Sequence, residues 1–148
     1  MEGKKTFKIL CIDGGGIKGL YSAQVLAKFE ECFNTKLSDH FDLICGTSTG
    51  GIIALAVSAK ILMSEVVRFY EEYGPKIFSS SWKCFGSIGH NILVLKQALL
   101  MSKYPQKPLR KALVSVFGSR TIGESRNLLC IPAYNLSKAA PRIFKRDY

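Results

Sequence analysis

A serine flanked by glycines, in the run Gly46-Thr47-Ser48-Thr49-Gly50, is where this 148-residue sequence could most readily do nucleophilic chemistry. Residues 41–45 before it are largely apolar and read as a short buried strand. Residues 51–57 after it read as a buried helix. A serine on so sharp a strand-to-helix turn has its hydroxyl lifted above the sheet, at the positive end of the helix. Gly46 and Gly50 fit this geometry because side chains would clash in so tight a turn. Ser48 is therefore a candidate nucleophile, and the chain a candidate serine hydrolase. A glycine- and serine-rich loop without chemistry has the same composition, and the strand–turn–helix context is what favours the hydrolase.

A second glycine motif, Asp13-Gly14-Gly15-Gly16-Ile17-Lys18-Gly19, also follows an apolar strand pattern and precedes a helical one. Gly14, Gly16 and Gly19 satisfy the G-x-G-x-x-G fingerprint of dinucleotide sites, which calls for an acidic residue about 20 positions on. Asp39 has that spacing, but it lies before the second strand rather than at its C-terminal end. The dinucleotide reading fails at its confirming position, and no cofactor is expected. The other use of consecutive glycines is an oxyanion hole, in which unobstructed backbone N–H groups of Gly14, Gly15 and Gly16 point into one concavity. Such donors stabilise charge developing on a carbonyl oxygen, by roughly 2.7–4 kcal/mol each where they have been removed. In a parallel sheet the loops after adjacent strands meet at one edge, so nucleophile and anion donors would face each other. Lys18 adds a positive charge nearby, and reads equally well as a solvated lysine at a helix start.

Taken together, Asp-Gly-Gly-Gly-Ile-Lys-Gly at 13–19 and Gly-Thr-Ser-Thr-Gly-Gly at 46–51 resemble the patatin-like phospholipase family. The resemblance continues at Ile131-Pro132-Ala133-Tyr134-Asn135 and at Pro141-Arg142-Ile143-Phe144. It implies a three-layer α/β/α fold and lipid acyl hydrolysis by a Ser–Asp dyad. Ser48 would be the nucleophile and Gly14, Gly15 and Gly16 the oxyanion hole. Lys18 would fill the family's basic position, with Gly19, Gly46 and Gly50 supporting the motifs. The resemblance also implies an Asp-Gly-Gly or Asp-Gly-Ala motif well downstream of the serine. The only aspartate after Ser48 is Asp147, followed by Tyr148. The expectation is thus residues 1–148 as one domain, the N-terminal part of the family's catalytic unit, truncated before its base and poorly active alone. A protonated serine hydroxyl is a weak nucleophile without a base. Of the two histidines, His40 falls before the second strand, at the opposite end from Ser48, and His90 falls in an irregular segment where a lone histidine is usually solvated.

Several elements must position these motifs. Strands are expected over residues 7–12, 41–45 and 128–131, the last stopped by Pro132, with a further strand beginning at Ile143 and Phe144. Helices are expected over residues 20–33, from Ser48 to near Lys60, from Ser64 as N-cap to a stop at Gly74-Pro75, over 92–101, and from Pro108 to Phe117. Residues 79–91 show no period and read as a loop. Alternation of strands and helices gives an α/β class with a mainly parallel sheet. The five cysteines (Cys11, Cys32, Cys45, Cys84 and Cys130) are odd in number and contain no C-x-x-C pair, which argues against a disulfide framework and a zinc site. With no signal-peptide core or 18-residue apolar run, a cytoplasmic protein is expected. The formal charge of +10 favours anionic surfaces. Lys103, Lys107, Arg110 and Lys111, and separately Lys138, Arg142, Lys145 and Arg146, would suit peripheral contact with an anionic membrane carrying a phospholipid substrate. No nucleic-acid motif is present, so a nucleic-acid partner is not expected. The competing functional class is a non-catalytic scaffold that keeps the fold.

Overall fold

A computed structural model describes residues 6–82 and 106–146. Residues 83–91 of the expected loop, the expected helix at 92–101, His90, Cys84, Lys103 and Asp147 lie outside the described residues. The elements run β1 (Ile9–Ile12), α1 (Gly19–Phe33), β2 (Leu43–Gly46), α2 (Thr49–Ser58), α3 (Met63–Trp82), α4 (Gln106–Phe117), β3 (Leu128–Asn135) and β4 (Ala140–Arg146). They form one four-stranded sheet in the order β1-β2-β3-β4. The first three strands are parallel, with Cys11 level with Cys45 and Cys45 level with Cys130, and β4 returns antiparallel along β3. The expected α/β class with a mainly parallel sheet is what the chain adopts, consistent with part of a three-layer α/β/α arrangement.

The core forms where α2 lies against the sheet. This helix is apolar on nearly every side, as a helix buried all round must be. Ile53 and Ala54 are wholly inaccessible, as is Ile44 of the sheet, and Leu129 beside it is almost so. Helices α1 and α3 pack against each other, adding Ala23, Met63, Val66 and Tyr70 to the same core. Asn34 ends α1 in the left-handed conformation, φ 46°, as a C-terminal asparagine can.

Four local expectations are corrected. Strand β1 starts at Ile9, and Phe7 stands exposed outside it. Ser64 does not cap α3: the helix starts at Met63, whose N–H donates to the Glu30 carboxylate of α1 at 2.8 Å. The same carboxylate accepts from Leu37 N–H, so one side chain ties α1 to two later segments. Helix α3 does not stop at Gly74-Pro75 but continues to Trp82, absorbing residues 79–82 of the expected loop. Tertiary packing holds it there. Ile77 and Phe78, just past the proline, are buried, and Gly74 lies so close to Ile17 that a Cβ would sit 2.7 Å from its Cδ1. Finally, Pro132 does not end β3, which runs to Asn135. Pairing with β2 reaches only Cys130, so Pro132 has a strand on one side alone, where a missing N–H is tolerated.

Candidate active site

Ser48 sits between β2 and α2, exposed, with φ 55° and ψ −121°. A non-glycine residue in that region costs on the order of 1–3 kcal/mol, and persists only where its surroundings dictate it. Here the dictation is plain. Gly50 N–H donates to Thr47 O at 2.9 Å, and the N–H groups of Gly51 and Ile52 donate to Ser48 O at 3.0 and 3.3 Å. The turn therefore closes directly into the first turn of α2. Ser48 caps that helix through its backbone, and its hydroxyl makes no hydrogen bond among the described residues.

Two close approaches explain the glycines. A Cβ on Gly46 would collide with the carbonyl of Gly50, and one on Gly50 would collide with the carbonyl of Ile12. The elbow thus rests directly on the end of β1. The other glycine loop meets it from that side: a Cβ on Gly14 would lie 2.6 Å from Thr47 O and 3.0 Å from Ser48 Cβ. Hydrogen bonds join the same pair of loops. Gly14 N–H donates to Thr47 Oγ1 and Gly15 N–H to Thr49 Oγ1, each at 3.2 Å, while Thr47 N–H donates to Ile12 O at 3.4 Å. Gly16 has φ 61°, and its N–H makes no hydrogen bond among the described residues. Lys18 is exposed and runs its stem past Gly15 before Gly19 opens α1.

The structure thus brings Ser48, Gly14 and Gly15 together and keeps Gly16 and Lys18 on the adjoining turn. His40 stays apart: it lies before β2, where Nε2 is 2.6 Å from Thr35 Oγ1. Sequence reasoning missed three contributors. Thr47 and Thr49 are the hydroxyls that fasten the two loops, and their flanking of Ser48 was the available signal. Tyr70 of α3 gave no local signal. Its hydroxyl, almost fully enclosed, donates to Thr49 O at 3.4 Å and lies directly beneath Gly19. Burial pushes this phenol up to about 12, and the hydrogen bond to Thr49 opposes the shift.

With this geometry, two motifs on adjacent parallel strands meet through backbone, and the family profile described as patatin-like phospholipase matches residues 10–146. The chain belongs to the patatin-like phospholipase family. It is 36% identical over its full length to a cGAMP-activated phospholipase of Pseudomonas aeruginosa, covering 42% of that protein. It is 30% identical to a cGAMP-activated phospholipase of Escherichia coli over 98% of this chain and 41% of the relative. It is 31% identical to Patatin-T5 of Solanum tuberosum over 94% of this chain and 36% of the relative. The chain therefore spans about two fifths of the length of these curated relatives. Among the described residues, no helix is long and apolar enough to cross a membrane.

Proposed function

We propose that the whole protein is a lipid acyl hydrolase acting on glycerophospholipids, with residues 1–148 forming the nucleophile-bearing portion of a single catalytic domain. Ser48 attacks the ester carbonyl, and the Gly14–Gly16 loop stabilises the oxyanion. The observation that supports this reading is the close approach of Gly14 to Thr47 O and Ser48 Cβ, which brings the glycine loop against the turn that carries the candidate nucleophile. Gly14 and Gly15 N–H are held by Thr47 and Thr49 hydroxyls, so Gly16 is the amide of the run with its hydrogen left to offer. Lys18 supplies a nearby positive charge. The base is an aspartate by family resemblance. Asp147, the one aspartate after Ser48, is not followed by glycine, so this chain alone is expected to turn over esters poorly.

Contact with an anionic bilayer belongs to the same reading. Strand β3 outruns β2 at the sheet edge where the two glycine loops meet, and the β3–β4 hairpin carries Tyr134, Leu136, Ile143 and Phe144 exposed. Lys138, Arg142 and Lys145 are interleaved with them, and the Arg142 guanidinium lies 5.7 Å from the centre of the Phe144 ring. Apolar tips among basic side chains suit the headgroup boundary, at about 1 kcal/mol per basic residue near the surface. Lys107, Arg110 and Lys111 of α4 are exposed as well.

The test compares the whole protein with its Ser48→Ala variant for fatty-acid release from phospholipid vesicles and for fluorophosphonate labelling. Loss of both in the variant is expected. Undiminished release or labelling after Ser48→Ala would overturn the assignment. A folded wild-type protein that neither labels nor hydrolyses would favour the scaffold reading.

A further inference from the structure

Three cysteines lie side by side across the sheet. Cys11 of β1 is level with Cys45 of β2, and Cys45 is level with Cys130 of β3. Residues level with one another on parallel strands point to the same face, so the three side chains form a row. All three are free; Cys11 is exposed, and Cys45 and Cys130 are half-buried. The row lies one residue before Gly46 and two before Asp13, at the base of both glycine loops.

Spacing decides what such a row can do. Neighbouring strands lie about 4.8 Å apart, within the roughly 4.4–6.8 Å Cα separation that a disulfide spans. Cys11 and Cys130 are two strands apart, about 9.6 Å, beyond the roughly 7 Å limit for bridging. A line of this kind does not converge on one point, and among the described residues no three His, Cys, Asp or Glu side chains are placed to hold a metal ion. The chemistry that fits is pairwise.

We propose that this row is a reversible thiol-oxidation site in which Cys45 is the obligatory partner, bonding to Cys11 or to Cys130 but never leaving those two to bond each other. The oxidant is a hydroperoxide, for which hydrogen peroxide is the simplest case. The exposed Cys11 thiolate attacks one peroxide oxygen. A sulfur–oxygen bond forms, the oxygen–oxygen bond breaks, and the departing hydroxide takes up the thiol's proton as water. Cys45 sulfur then attacks Cys11 sulfur. The disulfide forms, the sulfur–oxygen bond breaks, and the Cys45 proton leaves with that oxygen as a second water. Two thiols and one peroxide thus give one disulfide and two waters. Cys130 can next attack Cys45 and release Cys11, which moves the bond along the row without further oxidation. Burial and the two flanking thiols push the Cys45 thiol up to about 11, which disfavours Cys45 as the first group oxidised. The Cβ atoms of level residues on parallel strands stand near the strand spacing, wider than the roughly 3.8 Å of a relaxed disulfide, so the bond formed would be readily reduced.

The experiment treats the whole protein with hydrogen peroxide at low protein concentration, alkylates remaining thiols under denaturing conditions, and maps the peptides by mass spectrometry. Expected are Cys11–Cys45 and Cys45–Cys130 cross-links, both lost on treatment with dithiothreitol. Cys45→Ser should abolish intrachain bonding among the three, Cys11→Ser should abolish both cross-links because the first oxidation is lost, and Cys130→Ser should keep Cys11–Cys45. A Cys11–Cys130 cross-link would overturn the proposal. So would oxidation of Cys11 to sulfinate with Cys45 left free, or bonding of Cys11 to Cys32 or Cys84 instead. The wild-type map decides by itself if Cys45→Ser fails to fold.

Discussion

Replacing Gly50 with alanine tests whether the elbow is held by backbone contact. The new Cβ would sit 2.7 Å from Asp13 O and 2.8 Å from Ile12 C, and closer still to Ile12 O. Every one of these neighbours is main chain, so no rotamer change relieves the collision. The end of β1 and the first turn of α2 must part by a sizeable fraction of an ångström. Overpacking of that kind costs about 1–3 kcal/mol. Alanine returns roughly 0.5–1 kcal/mol because glycine is the poorer helix residue. The net expectation is a loss of about 1–2 kcal/mol, which at a urea slope of about 2 kcal/mol/M lowers the midpoint by about 0.5–1 M. The control is Gly123→Ala, whose Cβ would meet nothing nearer than Thr121 Oγ1 at 3.7 Å. That variant should stay within about 0.5 kcal/mol of wild type. Equal midpoints for the two variants at unchanged slope would refute the close-contact argument.

Ser48→Gly should raise stability by about 1 kcal/mol, because it relieves a positive φ at the cost of glycine's extra freedom; a lower urea midpoint would sink the idea of strain at Ser48. Asn127→Ala should cost about 2–4 kcal/mol, since the buried amide donates to Ser38 O at 2.8 Å and Phe41 O at 2.6 Å, and both carbonyls would lose a donor. A loss under 1 kcal/mol in the same urea assay would count against that role. Stability should fall as pH rises from 10 to 12, because Tyr70 keeps its proton in the folded chain up to about 12 whereas the unfolded chain releases it near 10. Cys45, raised to about 11, adds a decline in the same direction from about pH 9. Tyr70→Phe should flatten the part between 10 and 12, and an unchanged alkaline slope would contradict the phenol's contribution.

What the sequence made legible was local chemistry whose geometry is fixed within a few residues. The elbow at Ser48 and the end of α1 after Phe33 are of that kind, because glycine and asparagine carry their own conformational signal. The strand pairing of the two motifs was legible as well, because each motif follows an apolar strand. The misses share a different physics. Pro75 and Pro132 are strong local breakers, yet α3 and β3 run through both because burial of Ile77 and Phe78 and one-sided pairing beyond Cys130 override the local preference. Ser64 is a good capping residue by type, but Glu30, 33 positions before Met63, supplies the carboxylate at the start of α3 instead. Tyr70 supports the site from 21 residues beyond Thr49, a separation no local pattern records.

So strained a serine can stand here because the helix that follows it is built from small residues. Helix α2 begins Thr49-Gly50-Gly51 and continues through Ala54 and Ala56, so its axis comes close to the sheet. A Cβ on Gly51 would already press Ile131 Cγ2 at 3.0 Å. That close approach encloses Ile53, Ala54, Ala56 and Val57 almost completely. Burying a Val or Ile side chain is worth about 1.5–3 kcal/mol, so Ile53 and Val57 together outweigh the roughly 1–3 kcal/mol held at Ser48. Sliding the helix outward to relax the turn would forfeit more than it recovered. The glycines therefore act twice, once by letting the elbow turn and once by letting the helix lock it, and enlarging any of Gly46, Gly50 or Gly51 attacks both at a stroke.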